Sequence, residues 1–324
     1  MSDSGPSGAS ADPLDGRAAA DADAGAAALA AIRAIADRMA ELEPEAEADE
    51  PDAVHQLRTH VRRLRSLLAA FGPLFDPSAT LALRRRFGEF GRELGTVRDI
   101  EVRIQVAERA LDVAEEHDPH RDVVAVPEQA AAVRERLVDD EVEAHRLAHA
   151  RFVERQRMPR ATGRREALAT FLDAPAFTPR ASGPAREVLG ELVEHEARRA
   201  VKRTKRLRGD GDVAALHEVR KAGRRLRYAA ESVVDEPVAR FGSAATRLAE
   251  AGEALHDVLG DHRDEMLFAE HVRRAGAHAA HAGAPSAAFE ALAVAADRRA
   301  DEHLADLDDA VAELRAATKA WRAR

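Results

Sequence analysis

No cysteine occurs among the 324 residues, which excludes a disulfide framework and any thiolate metal site. Aromatic residues make up only 4%, with one tryptophan and one tyrosine, too few for the aromatic-rich pattern of a β-sandwich or barrel. Strictly alternating apolar and polar runs, the mark of half-buried strands, are missing as well. No uninterrupted apolar stretch approaches the roughly 20 residues that span a bilayer. The opening residues MSDSGPSGASADPLDG lack the basic-then-apolar order of a signal peptide. What is plentiful is alanine, leucine, arginine and glutamate, all strong helix formers. The expectation is an all-α, cytoplasmic protein.

The formal net charge is -9, which argues against an anion binder until it is mapped along the chain. Residues 1–53 hold thirteen acids against Arg17, Arg33 and Arg38, so the remainder is close to neutral. Within that remainder charge is segregated again. Arg198 to Arg227 carries twelve basic residues against Asp210, Asp212 and Glu218. Local field, rather than net charge, decides what a surface attracts.

Residues 1–23 are small and polar and are expected to form a disordered acidic tail. Leu29, Ile32, Ile35, Met39 and Leu42 have helical spacing. The acid-rich, proline-broken run from Glu41 to Asp52 reads as a solvated linker. Further helices are predicted at about 53–71, 78–94, 97–117, Pro127 to near Arg157, and 164–172. In the second half they fall at 184–208, 212–234, 237–259, 262–281 and 285–319. The breaker-rich segment APAFTPRASGP places a boundary at 174–184, giving helical halves at 24–174 and 184–320.

Two motifs recur in the same order. His55, Arg58, Arg62, Arg63 and Arg65 spell HxxRxxxRRxR, and so do His217, Arg220, Arg224, Arg225 and Arg227. Downstream of each, LGxxRD appears at Leu94 to Asp99 and at Leu259 to Asp264. Matching order and nearly matching separation indicate an internal duplication. At about 100° per residue, Arg58, Arg62 and Arg65 fall within roughly 80° of His55 on a helical wheel. Val54, Leu57, Val61, Leu64, Leu67 and Leu68 occupy the neighbouring face, and Arg63 lies off the stripe. The second copy divides alike, with Val219, Leu226 and Val233 inward. Stripe arginines at i, i+3, i+7 and i+10 have no acids interleaved among them, so their counter-anion is expected to come from outside the helix. Guanidinium forks suit phosphate. Because the chain holds 45 arginines and 4 lysines, position rather than arginine identity carries this argument.

These residues resemble the CHAD family, the conserved histidine α-helical domain, whose signature is the same pair of motifs repeated twice. The resemblance implies two pseudo-twofold-related four-helix bundles around a basic groove. It also implies binding of inorganic polyphosphate, with possible targeting to polyphosphate granules. Carried over by position, it implicates His55, Arg58, Arg62, Arg63, Arg65 and Arg98, and in the second half His217, Arg220, Arg224, Arg225, Arg227 and Arg263. Asp99 and Asp264 are expected to orient neighbouring arginines. Lys202, Arg203, Lys205 and Arg206 precede the second motif and are expected to extend the groove, leaving its first half the less basic. Some family members carry a CYTH triphosphatase domain, but its ExExK motif is not found here.

No catalytic residue, metal ligand or cofactor is expected. His117-Asp118 and His256-Asp257 match the HD dipeptide of metal-dependent phosphohydrolases, but the further ligands that fold requires cannot be assembled, and both pairs read as surface helix chemistry. Arginines around His55 and His217 disfavour a bound cation. A nucleic-acid-binding helical protein is the stronger alternative, since any basic groove attracts phosphates. Single-strand binders add aromatic platforms, and only Tyr228 lies beside a stripe.

Overall fold

Helix formation starts at a cap. The carboxylate of Asp23 accepts the backbone N–H of Ala26 at 2.6 Å, satisfying one of the donors that a helix start leaves open. The computed structural model describes residues 23–117, 127–207, 213–239 and 241–324. Residues 1–22 of the expected tail therefore lie outside the described residues. The described residues form eleven α-helices and no strand. They are α1 (Ala24–Glu47), α2 (Ala53–Ala70), α3 (Pro77–His117), α4 (Pro127–Arg134), α5 (Asp140–Gln156), α6 (Pro159–Asp173), α7 (Ala185–Thr204), α8 (Val213–Val234), α9 (Ser243–His281), α10 (Ala287–Leu304) and α11 (Leu307–Arg322). A π-helical turn, Glu135–Asp139, joins α4 to α5.

The all-α expectation holds, and several boundaries change. Residues 77–117 form one helix of 41 residues and 243–281 one of 39, where the sequence suggested a break in each. Gly95 and Gly260, which fall between the expected segments, sit inside these helices. The single helix expected at 285–319 is instead two, α10 and α11. The acidic run does not begin a solvated linker at Glu41. Helix α1 continues through Pro44 to Glu47, with Leu42 and Ala46 buried and the Glu43 carboxylate accepting from Arg164 and Arg165 at 3.3 and 2.7 Å. Tertiary packing and ion pairing there override the proline.

Two apolar clusters form the interior, and each draws on both parts of the chain. The larger joins α1, α2, the first part of α3, α7, α8, the first part of α9 and α11, around Leu57, Leu64, Leu226 and Trp321. The smaller joins the later parts of α3 and α9 with Val133, Leu137 and α10. Helix α2 packs on α3, α8 packs on α9, and α2 and α8 also pack on each other. The α8–α9 crossing is close: a Cβ added to Gly252 would stand 2.8 Å from the Arg227 nitrogen and 2.9 Å from the Gly223 carbonyl oxygen. This arrangement places both arginine stripes along one seam.

Candidate anion site

The apolar face of α2, with Val54, Leu57, Val61 and Leu64 at most 2% exposed, fixes the roll of the helix and so aims its stripe. The LGxxRD glycines then receive it. Were Gly95 to carry a Cβ, the end of the Arg58 side chain would lie 3.5 Å from it, and Arg220 stands 3.3 Å from the same point on Gly260. Arg65 crosses Gly88 at 3.3 Å. The long helices are thus flattened where guanidinium groups lie across them.

Most of these arginines lack sufficient partners. The Nε atoms of Arg62, Arg65, Arg220 and Arg224 are buried with no hydrogen-bond acceptor. Arg62 reaches only the hydroxyl of Thr59, at 3.5 Å. Burial pushes Arg62, Arg65 and Arg220 below the usual guanidinium range. Burial, reinforced by repulsion from Arg62, holds Arg224 down to about 9. Arg224 feels Arg62, Arg220 and Arg65, while Arg220 feels Arg62 and Arg58, so the charges of α2 and α8 repel across the seam. Arg98 and Arg62 help hold His55 below its usual range, after burial. Burial lowers His217 first, followed by Lys221 and Arg263.

Carboxylates serve some positions and not others. Arg58 donates to Asp99 at 3.0 Å. Asp264 instead is pushed up by burial, against the pull of Arg220 and Arg263. The expectation that the stripes lack acidic partners fails at Arg227, which pairs with Glu231 one turn on at 2.7 Å and with Glu253 of α9 at 2.8 Å. Arg63 pairs with Glu231 and with Asp235 at 3.7 Å, tying α2 to α8. Arg225 lies 3.6 Å from the nearly buried Glu196, and Arg98 pairs with Glu101 at 2.9 Å. Arg203 lies 3.6 Å from Glu218, while Lys202, Lys205, Arg206 and Arg263 are exposed. Within the stripes the second copy is partly neutralised at its far end, whereas Arg65 meets further cations in Arg84 and Arg92.

Tyr228 offers no stacking platform. It is 4% exposed, with the guanidinium groups of Arg63 and Arg227 at 5.5 and 5.8 Å from its ring centre.

His256 does not behave as surface helix chemistry. Its side chain is 12% exposed, and Arg220, Arg224 and Arg62 face it. The sequence placed it in an HD pair, and the signal it carried was its position one turn before Gly260. His117 and Asp118 lie outside the described side chains. The best metal-like grouping among the described residues is Asp49, Glu101 and His145, with ligand atoms within 4.8 Å of one another. Glu101 there is already held by Arg98 and His145. An open concavity of about 890 Å³ lined by Val213, Leu216, His262 and Met266, among others, shares no residue with the arginine cluster.

The described residues thus form an all-helical scaffold that presses two arginine stripes together without enough carboxylates to balance them. The chain matches the CHAD domain over residues 30–273 and belongs to that family. It is 29% identical over 233 residues to the uncharacterized proteins MT2285 and Rv2226 of two Mycobacterium tuberculosis strains, covering 69% of this chain and 40% of theirs. Among solved structures, PptA from Streptomyces chartreusis matches with a TM-score of 0.69 at 20% identity, over 89% of this chain and 99% of that one. The CHAD domain from the plant Ricinus communis matches with 0.62 at 23% identity, over 92% and 93%. No helix among the described residues is long and apolar enough to cross a membrane.

Proposed function

We propose that the cluster of His55, Arg58, Arg62, Arg65, Arg98, Arg220, Arg224 and Arg263 forms a groove that binds inorganic polyphosphate without chemical turnover. Four buried guanidinium Nε atoms without acceptors carry this reading. Unsatisfied, mutually repelling cations cost the free protein stability, and an external polyanion relieves both penalties together. A polymer of closely spaced phosphates suits a continuous seam better than an isolated anion does. We read the chain as a duplication, 24–174 and 184–320, in which Arg58 over Gly95 and Arg220 over Gly260 are corresponding contacts. Cytoplasmic targeting to polyphosphate granules is the cellular role this implies.

The nucleic-acid reading is disfavoured by the buried Tyr228, which removes the one aromatic beside the stripes. Competition of long-chain polyphosphate against single- and double-stranded nucleic acid across a salt series tests the assignment. Polyphosphate is expected to win at every salt concentration, with affinity falling steeply as salt rises. Equal or tighter binding of nucleic acid at physiological salt would reassign the site. No phosphate release from polyphosphate or nucleoside triphosphates is expected with Mg²⁺ or Mn²⁺.

A further inference from the structure

His256 lies three residues before the LGxxRD motif on α9, and the corresponding residue on α3 is Gly91. The imidazole therefore has no counterpart in the other half of the seam. Its Nδ1 stands 3.1 Å from the Asp257 carboxylate, while its Nε2 is buried without a partner. A carboxylate can only accept, so Nδ1 carries the hydrogen and Nε2 of the neutral ring is a bare lone pair. Arg62 from α2 and Arg220 and Arg224 from α8 face it, yet none donates to it. A buried acceptor surrounded by donors that do not reach it is an unsatisfied arrangement.

A proton on Nε2 would convert that acceptor into a donor, but among three arginines the resulting cation needs an anion in front of it. A phosphoryl oxygen gripped by those arginines supplies one. We propose that His256 is a further contact of the bound polyphosphate and makes that contact as an imidazolium. One proton from solvent adds to Nε2 as the polymer enters. Nε2–H then donates to a phosphoryl oxygen, and Nδ1–H stays on Asp257. This rests on the polyphosphate reading above.

In the free protein, burial together with repulsion from Arg220, Arg224 and Arg62 outweighs the bond to Asp257 and holds His256 down to about 4. It is therefore neutral at pH 6. Phosphate oxygens offset the arginine charge and raise its proton affinity, so binding consumes a proton and tightens as pH falls toward 5. His55 and His217, also held low, are the competing sources of such linkage.

Titration calorimetry of the full chain with long-chain polyphosphate at pH 6, in two buffers of different ionisation enthalpy, counts the protons. The wild type is expected to take up protons. His256→Gln should lose most of that uptake and bind severalfold more weakly at pH 6 while matching the wild type at pH 8, whereas His55→Gln and His217→Gln should keep it. Polyphosphate binding without proton uptake, or uptake undiminished in His256→Gln, overturns the proposal and leaves the binding site standing. Absence of polyphosphate binding overturns both. Histidine-selective NMR of the wild type provides a check independent of the variant's folding. The His256 ring nitrogens should shift from the neutral to the imidazolium pattern on adding polymer at pH 6, and a ring that stays neutral refutes the contact.

Discussion

Arg220 lies across Gly260, its terminal nitrogen 3.3 Å from where a Cβ on that glycine would stand, and Arg58 meets Gly95 in the same way at 3.5 Å. This contact couples the two sequence motifs. The first supplies a long cationic side chain, and the second supplies a helix surface bare enough to let it lie flat.

Gly95→Ala and Gly260→Ala should therefore separate folding from binding. Alanine favours a helix interior by roughly 1 kcal/mol over glycine, so the melting temperature should stay level or rise. The added methyl pushes the guanidinium off its bed, and polyphosphate affinity by calorimetry should fall. Unchanged affinity in both variants would show that the bed does not position the arginines.

Gly252→Ala should behave in the opposite way. Its Cβ would meet backbone atoms of Arg227 and Gly223 at under 3 Å, and backbone cannot swing aside as a side chain can. Overpacking of this kind typically costs about 1–3 kcal/mol. Thermal denaturation should show the loss, and a melting temperature equal to the wild type would contradict the close α8–α9 crossing.

Arg224→Met should stabilise the unliganded protein. It removes a buried cation that repels Arg62 and Arg220, and methionine retains most of the apolar stem. Denaturant unfolding should shift to higher concentration while polyphosphate binding weakens. A destabilised variant would mean that Arg224 is held by contacts that outweigh its burial.

Arg63→Ala tests an arginine that the sequence grouped with the ligand-binding set. Its bonds run to Glu231 and Asp235, and its guanidinium lies near the ring of Tyr228. Leaving Glu231 with one cation fewer should cost about 1–3 kcal/mol in chemical denaturation. Polyphosphate affinity should hardly move.

His256 also sets a stability profile for the free protein. Its folded pKa of about 4 lies below the ordinary 6.5, so the unfolded chain binds the proton first. Stability from its neutral form is full above about 6.5 and is lost as pH falls toward 4. The maximum loss is about 3 kcal/mol. The difference between wild type and His256→Gln isolates this from Asp264, whose raised pKa acts in the opposite sense. If the two proteins lose stability in parallel from pH 7 to 4, His256 does not titrate as described.

The helical class and the orientation of both stripes were legible because Val54, Leu57, Val61 and Leu64 keep strict helical spacing on the face beside His55 and Arg58. The continuity of α3 and α9 was not. The expected breaks fall at Gly95 and Gly260, where arginines from another helix occupy the space beside the glycine. Neutralisation of Arg227 was half visible, since Glu231 lies one turn away in the same helix, but Glu253 arrives from α9 through tertiary packing. Glu196 reaches Arg225 from α7 in the same way. His256 was read with Asp257 as a dipeptide, while its environment is set by Arg62 nearly two hundred residues earlier. Sequence spacing reveals what shares a helix face, and charge balance depends on which faces meet.

The larger apolar cluster binds α2 and α8 into a single interior, so the two arginine rows cannot part like jaws around a ligand. A fixed row of cations facing a polymer of identical units has no preferred register. Each added phosphate creates one more equivalent placement, so affinity per chain should climb with polymer length through multiplicity alone, even after the seam is filled. The bound polymer could then shift by single units without ever leaving, held firmly as a whole and loosely in position.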